Sequence, residues 1–96
     1  MTIEKNVCDN AAEMKLSGWL DTQTAPELDA EIRTLGEEIT ALTLDLEKLE
    51  YIYSAGLRLI VATYKKMNGA LTLLNVSDEI MSVIKMTGLD KRIKIE

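Results

Sequence analysis

Three times along this chain a short stretch of strand-like apolar alternation is followed by a segment whose apolar residues recur three and four apart. Ala12, Met14 and Leu16 precede Leu28, Ile32, Leu35 and Ile39. Leu42, Leu44 and Leu46, with Tyr51-Ile52-Tyr53 behind them, precede Leu57, Ile60, Val61, Tyr64 and Met67, and the run Leu71 to Val76 precedes Ile80, Val83 and Ile84. Strands joined through helices of this length cannot be hairpin partners, so the pattern calls for a largely parallel sheet with right-handed crossovers. Ahead of it, Ile3, Lys5 and Val7 are set off from Ala12 by Asp9-Asn10, which reads as a hairpin with one buried face, and Arg92 to Ile95 can close the sheet as a last strand. The predicted class is α/β, a mixed and largely parallel sheet with three main helices in the order ββαβαβαβ.

Local signals place the element ends. Thr24-Ala25-Pro26-Glu27 has the form of a capping box with proline in the first turn, which predicts a helix over 25–37. Asn68-Gly69 is a ready left-handed stop for the second helix, whose buried stripe is expected at Leu57, Ile60, Val61, Tyr64 and Met67. Ser77-Asp78-Glu79 supplies a capping hydroxyl and two carboxylates to the third, which runs to Gly88. Ala41 to Leu46 is predicted as a central strand, with Asp45 pointing away from the leucines near its C-terminal end, where ligand sites gather in parallel sheets.

Composition narrows the chemistry. Ninety-six residues with 47% apolar content suffice for one core, so residues 1–96 are expected to form one domain. With no histidine and one cysteine, Cys8, the usual metal sites, histidine acid–base chemistry and disulfide frameworks lack their parts, and a reducing cytoplasm is the expected setting. No apolar run approaches the length of a membrane span, and a net charge of −5 repels nucleic acids and anionic membranes. Neither a Gly-x-x-x-x-Gly-Lys loop, a Gly-x-Gly-x-x-Gly turn nor a Cys-x-x-Cys pair is present, and Asp21 with Asp45 makes no acid–base dyad without a nucleophile. No catalysis, metal or cofactor is expected; a protein partner is.

The stretch Tyr51-Ile52-Tyr53-Ser54-Ala55-Gly56-Leu57-Arg58 is the candidate site. An apolar strand gives way to serine, two tiny residues and an amphipathic helix, which places Ser54 at an N-cap beside unpaired N–H groups and the positive end of the helix dipole. A phosphate there suits the fold while adding about −1.5 to −2 charge against any partner packed on that surface. Ala55 and Gly56 leave little bulk above the first turn, and Arg58, four residues after Ser54, can meet a phosphate or an acidic group. A serine N-cap with no further role accounts for the same residues. Tyr53 reads as partly buried packing at the strand end more readily than as a second hydroxyl acceptor, and Trp19, the single tryptophan, as a ring covering one edge of the core or as a partner anchor.

Gly18-Trp19-Leu20-Asp21-Thr22-Gln23-Thr24-Ala25, Leu44-Asp45-Leu46, Tyr53-Ser54-Ala55-Gly56-Leu57 and Thr87-Gly88-Leu89 together resemble the successive signatures of the STAS domain (sulfate transporter and anti-sigma factor antagonist), over almost the whole chain. The resemblance implies an anti-sigma factor antagonist that, unphosphorylated, binds an anti-sigma factor of the GHKL serine kinase type and frees the sigma factor it held, with a PP2C-type phosphatase as a further partner. It also implies a partner surface made by the loop carrying Asp21 and Thr22 together with Tyr53, Ser54, Ala55, Gly56, Leu57 and Arg58; a loop carboxylate bonding only local N–H groups is the other reading of Asp21. The family pattern Asp-Ser-Ser-Gly-Leu takes phosphate on the serine before glycine. That position is Ala55 here and the aspartate position is Tyr53, which leaves Ser54 as the implied phosphoacceptor. A non-phosphorylated adaptor subunit of a membrane transport or other signalling complex is the alternative that the same resemblance allows.

Overall fold

The computed structural model describes residues 1–96. Five strands form one sheet in chain order, β1 (Thr2–Cys8), β2 (Ala11–Leu20), β3 (Ala41–Ile52), β4 (Leu71–Leu74) and β5 (Lys94–Ile95); β1 runs antiparallel to β2 and every other pair is parallel. The crossovers are α1 (Ala25–Arg33), α2 (Ser54–Lys66) and α3 (Asp78–Thr87), the last followed by a 3-10 turn, Leu89–Lys91. The ββαβαβαβ order is as expected from the sequence. Because each crossover moves one strand along in the same direction, right-handed connections stack the three helices on one face. Ala12, Met14, Leu16 and Leu20 of β2, Leu42, Leu44, Leu46, Leu49 and Ile52 of β3, and Leu71 and Leu73 of β4 are buried there. Each fully buried leucine contributes about 1.5–3 kcal/mol. The other face is polar and open, with Lys15 and Glu47 exposed and Thr43 and Asp45 half-buried.

Several element details differ from the sequence-based expectation. The hairpin forms with Cys8 opposite Ala11 and Asp9 in the left-handed region, yet β1 covers the core only at half-buried Ile3: Val7 is exposed and Lys5 reaches over to Glu31 and Thr34 of the α1 segment. Helix α1 ends at Arg33 rather than 37, because Thr34 turns its hydroxyl back onto the Glu31 carbonyl at 2.6 Å and the chain leaves through Gly36. Its N-terminus makes no capping box; the work falls to Asp21, as described below. The buried stripe of α2 is Gly56, Ile60, Thr63 and Met67, with Thr63 satisfied by the Leu59 carbonyl, while Leu57, Val61 and Tyr64 are only half-buried. Asn68 and Gly69 take positive φ and stop the helix as expected. Strand β4 ends at Leu74, and the last strand is shortened to Lys94–Ile95 by the 3-10 turn before it.

The largest difference is in β3, which runs six residues beyond Leu46. Lys15 pairs with Asp45, Ser17 with Lys48 and Trp19 with Tyr51, so β3 has taken in two extra residues relative to β2, each at a bulge. A one-residue bulge flips which side chains face the core. The buried positions accordingly step 42, 44, 46, then 49, then 52. Asp45 therefore lies mid-strand and not near the C-terminal end. Its Oδ1 accepts from the Glu47 N–H at the first bulge and from Asn75 Nδ2.

Candidate functional site

The C-terminal ends of β2 and β3 deliver two chain segments to one pole of the molecule. Leu20 and Ile52 are ladder partners, and the Tyr53 N–H donates to the Leu20 carbonyl at 2.9 Å, so the loop after β2 and the start of α2 leave the sheet side by side.

Asp21 organises the first segment. Its Oδ1 accepts from the N–H groups of Gln23 and Thr24 at 2.9 and 3.0 Å and from the Thr24 hydroxyl at 3.1 Å, while the Thr24 oxygen accepts from the Asp21 N–H and donates to the Trp19 carbonyl at 2.7 Å. The Ala25 N–H donates to the Asp21 carbonyl, which closes the first turn of α1. The Thr24 N–H above all, helped by Gln23 and the Thr24 hydroxyl, holds the Asp21 carboxyl below the usual aspartate range against a smaller desolvation effect. Local N–H binding is thus what Asp21 does within the chain. Its second oxygen, Oδ2, makes no hydrogen bond, and neighbouring Thr22 is exposed.

The second segment departs from the expected cap. Tyr53 holds the extended N-cap conformation (φ −110°, ψ 174°), and Ser54 is the first helical residue. A serine already inside the helix does not fold back onto the N–H groups two and three residues on, so the Ser54 hydroxyl is exposed and makes no hydrogen bond, and α2 has no side-chain cap. The Leu57 N–H returns to the Tyr53 carbonyl at 3.0 Å. Ala55 packs half-buried against the core and Gly56 is buried, so the small residues serve inward packing and not an open approach to the backbone. A Cβ at Gly56 would lie 2.6 Å from Leu20 Cγ and 3.0 Å from Ile52 Cγ1. Only glycine lets α2 sit this close to the ends of β2 and β3.

Beside Ser54 the surface is apolar. Leu57, Val61 and Leu89, with Ser54, Arg58 and Thr87, line a shallow groove of about 360 Å3 between α2 and the end of α3. Arg58 is exposed and in no ion pair. At the groove's α3 end Met86 is 86% exposed, and on the β2 side Trp19 is 56% and Tyr53 49% exposed. Trp19 therefore does not cover the core, and Tyr53 is less covered than a packing role at the strand end required. Val61, expected in the buried stripe, is half-buried and lines the groove; the exposure of Trp19 was legible, since it falls out of step with buried Met14, Leu16 and Leu20. A larger depression of about 500 Å3 lies about 20 Å away at the other end of α2, where Lys66 Nζ reaches the Ile32 carbonyl at 3.5 Å and Glu37, Thr40 and Asn68 also line the wall. No cluster of three or more histidine, cysteine, aspartate or glutamate side chains stands ready for a metal, and no helix is long and apolar enough to cross a membrane.

Residues 2–96 match the STAS domain model. The chain belongs to the STAS family. It is 36% identical over 93 residues to an anti-sigma-B factor antagonist of Staphylococcus aureus (strain NCTC 8325 / PS 47), covering 93% of this chain and 86% of that protein. Among solved structures, an anti-sigma factor antagonist from Mycobacterium paratuberculosis superposes with a TM-score of 0.87 at 29% identity, over 98% of this chain and 83% of that one. The Bacillus cell fate determinant SpoIIAA in its phosphorylated form shares the fold, with a TM-score of 0.76 at 21% identity over 99% of this chain and 91% of that one. The Asp21 loop, the strand-to-helix turn at Ser54 and the Thr87–Leu89 turn, far apart in this STAS domain's sequence, meet around one end of α2.

Proposed function

We infer that this STAS protein is an anti-sigma factor antagonist, a binding module and not an enzyme, which captures an anti-sigma factor of the GHKL serine kinase type on the surface around the N-terminus of α2 and so releases a sigma factor. Phosphorylation of Ser54 by that kinase ends the capture, and a PP2C-type phosphatase restores it. The observation that carries this reading is the exposed, unbonded Ser54 hydroxyl on the first turn of α2, at the rim of the apolar groove of Leu57, Val61 and Leu89. The antagonists of S. aureus and M. paratuberculosis, alike over nearly the whole chain, support it.

The physics of the switch follows from that position. A phosphoserine in the first turn stands near the positive end of the helix dipole, and Arg58 one turn on can pair with it, so the domain stays folded. Toward the partner the same group opposes association, because docking on the groove would strip water from a near-dianion. Asp21 and Thr22, with Tyr53, Ala55, Leu57 and Arg58, complete the docking surface, and buried Gly56 sets how closely α2 approaches the sheet.

The test mixes the purified chain with a GHKL-type anti-sigma kinase from the same organism, with and without ATP. Intact mass is expected to rise by one phosphoryl group in the native chain and not in Ser54→Ala, and Ser54→Asp is expected to weaken the complex roughly tenfold or more. A complex that forms equally tightly with Ser54→Asp would refute the switch.

A further inference from the structure

Three of the four aromatic side chains of this protein gather at one place, on the open face of the sheet beside the Ser54 turn. Trp19 and Tyr51 are direct ladder partners on adjacent strands, and the Tyr51 and Tyr53 rings meet edge to face with centroids 4.9 Å apart. Their chain neighbours Leu20 and Ile52 are fully buried on the opposite face, which turns Trp19 and Tyr51 outward. Strand β1 stops short of them, its Thr2 pairing with Ser17, and no helix crosses this face. Folding does not call for aromatic rings here; the core closes without them. An exposed tryptophan beside an edge-to-face tyrosine pair, next to a docking surface, has the composition of a binding hot spot.

The surroundings select what the rings receive. Glu50, the residue inserted at the second bulge, directly precedes Tyr51 and is exposed, and Asp21, two residues after Trp19, keeps Oδ2 free; neither is in an ion pair. The chain as a whole carries −5. An aliphatic side chain would satisfy the rings and leave the carboxylates to lose water uncompensated. A lysine ammonium would be held back by its own hydration. A guanidinium stacks flat on indole and phenol faces while its edge N–H groups reach carboxylates.

We propose that the Trp19–Tyr51–Tyr53 face docks an arginine side chain of the anti-sigma partner, as a second contact beside the Ser54 groove. The proposal rests on the antagonist reading and adds the chemistry of what that partner must present. Because Trp19 is the only tryptophan, fluorinated tryptophans replace it cleanly in the full-length protein and weaken the ring face in graded steps without changing its shape much. Binding of a GHKL-type anti-sigma kinase from the same organism is measured by calorimetry against native, mono-, di- and trifluorinated protein, Trp19→Leu and Tyr53→Leu, with thermal melts to confirm that each is folded. Affinity is expected to fall monotonically with fluorination, and about 3- to 30-fold in Trp19→Leu, which keeps apolar bulk but no ring. A flat fluorination series, or Trp19→Leu binding like native, overturns the arginine contact while the antagonist reading stands. Failure of the native chain to bind the kinase at all overturns both.

Discussion

Gly56→Ala puts the packing of α2 against the sheet to a quantitative test. In an ordinary exposed helix the change would stabilise by about 1 kcal/mol, because alanine is the better helix former. Here the added methyl would lie 2.6 and 2.8 Å from Leu20 Cγ and Cδ2 and 3.0 Å from Ile52 Cγ1. Leu20 and Ile52 are both fully buried, so neither has open space to move into. Overpacking of this kind costs about 1–3 kcal/mol, and three close approaches to two immobile side chains argue for the upper end. Subtracting the propensity gain leaves a net loss of about 2 kcal/mol, or roughly 10 °C in Tm for a domain of this size. A thermal melt followed by circular dichroism, with a urea titration for the free energy, reads the effect directly. An unchanged or raised Tm would mean that α2 is free to ride outward, and the account of the site as a surface fixed by this contact would be wrong.

Two further outcomes follow from the caps at the helix starts. Ser77→Ala removes the hydroxyl that accepts from the Ile80 N–H at 3.3 Å and is expected to cost about 1 kcal/mol, some 4–8 °C in Tm. Asp21→Asn keeps an oxygen for the Gln23 and Thr24 N–H groups but not the charge. Since the folded carboxyl titrates below its unfolded value, the stability it supplies is present above about pH 4 and lost as the pH falls through the lowered value, so melts of native and Asp21→Asn protein should differ near neutrality and converge in acid.

Most of the fold was legible because the strand-to-helix alternation survives wherever burial is one-sided: the three crossovers, the hairpin loop at Asp9-Asn10 and the stops at Asn68-Gly69 and Gly88 all lie where the residues put them. What was not legible depended on contacts between distant segments. Periodicity located α2 and the buried Ile60 and Met67 but put Leu57, Val61 and Tyr64 in the stripe in place of Gly56 and Thr63, because it could not show that Gly56 is the point of closest approach and that Leu57 and Val61 turn toward α3. The Thr24 capping box was a sound local signal overruled by Asp21, whose carboxylate takes the Thr24 N–H that the Glu27 side chain would have met, while the Glu27 N–H returns to the Thr24 carbonyl. At the site, the hydroxyl and its neighbours could be named in advance; its freedom from any hydrogen bond could not, since that depends on Tyr53 rather than Ser54 taking the N-cap.

The two bulges of β3 explain how so small a domain makes a binding pole. Without them the alternation that buries Leu42, Leu44 and Leu46 would continue in step to bury position 50, Glu50, and with one bulge it would bury position 51 and turn Ile52 outward. Two bulges restore the original parity after inserting two residues, so Ile52 seals the core under Gly56 while Tyr51 joins Trp19 on the open face. The same insertion carries the end of β3 level with the end of β2, which sets the Ser54 turn beside the Asp21 loop. Sheet irregularities, and not the helices that carry the exposed side chains, thus determine that the hydroxyl, the groove and the aromatic face meet at one end of the molecule.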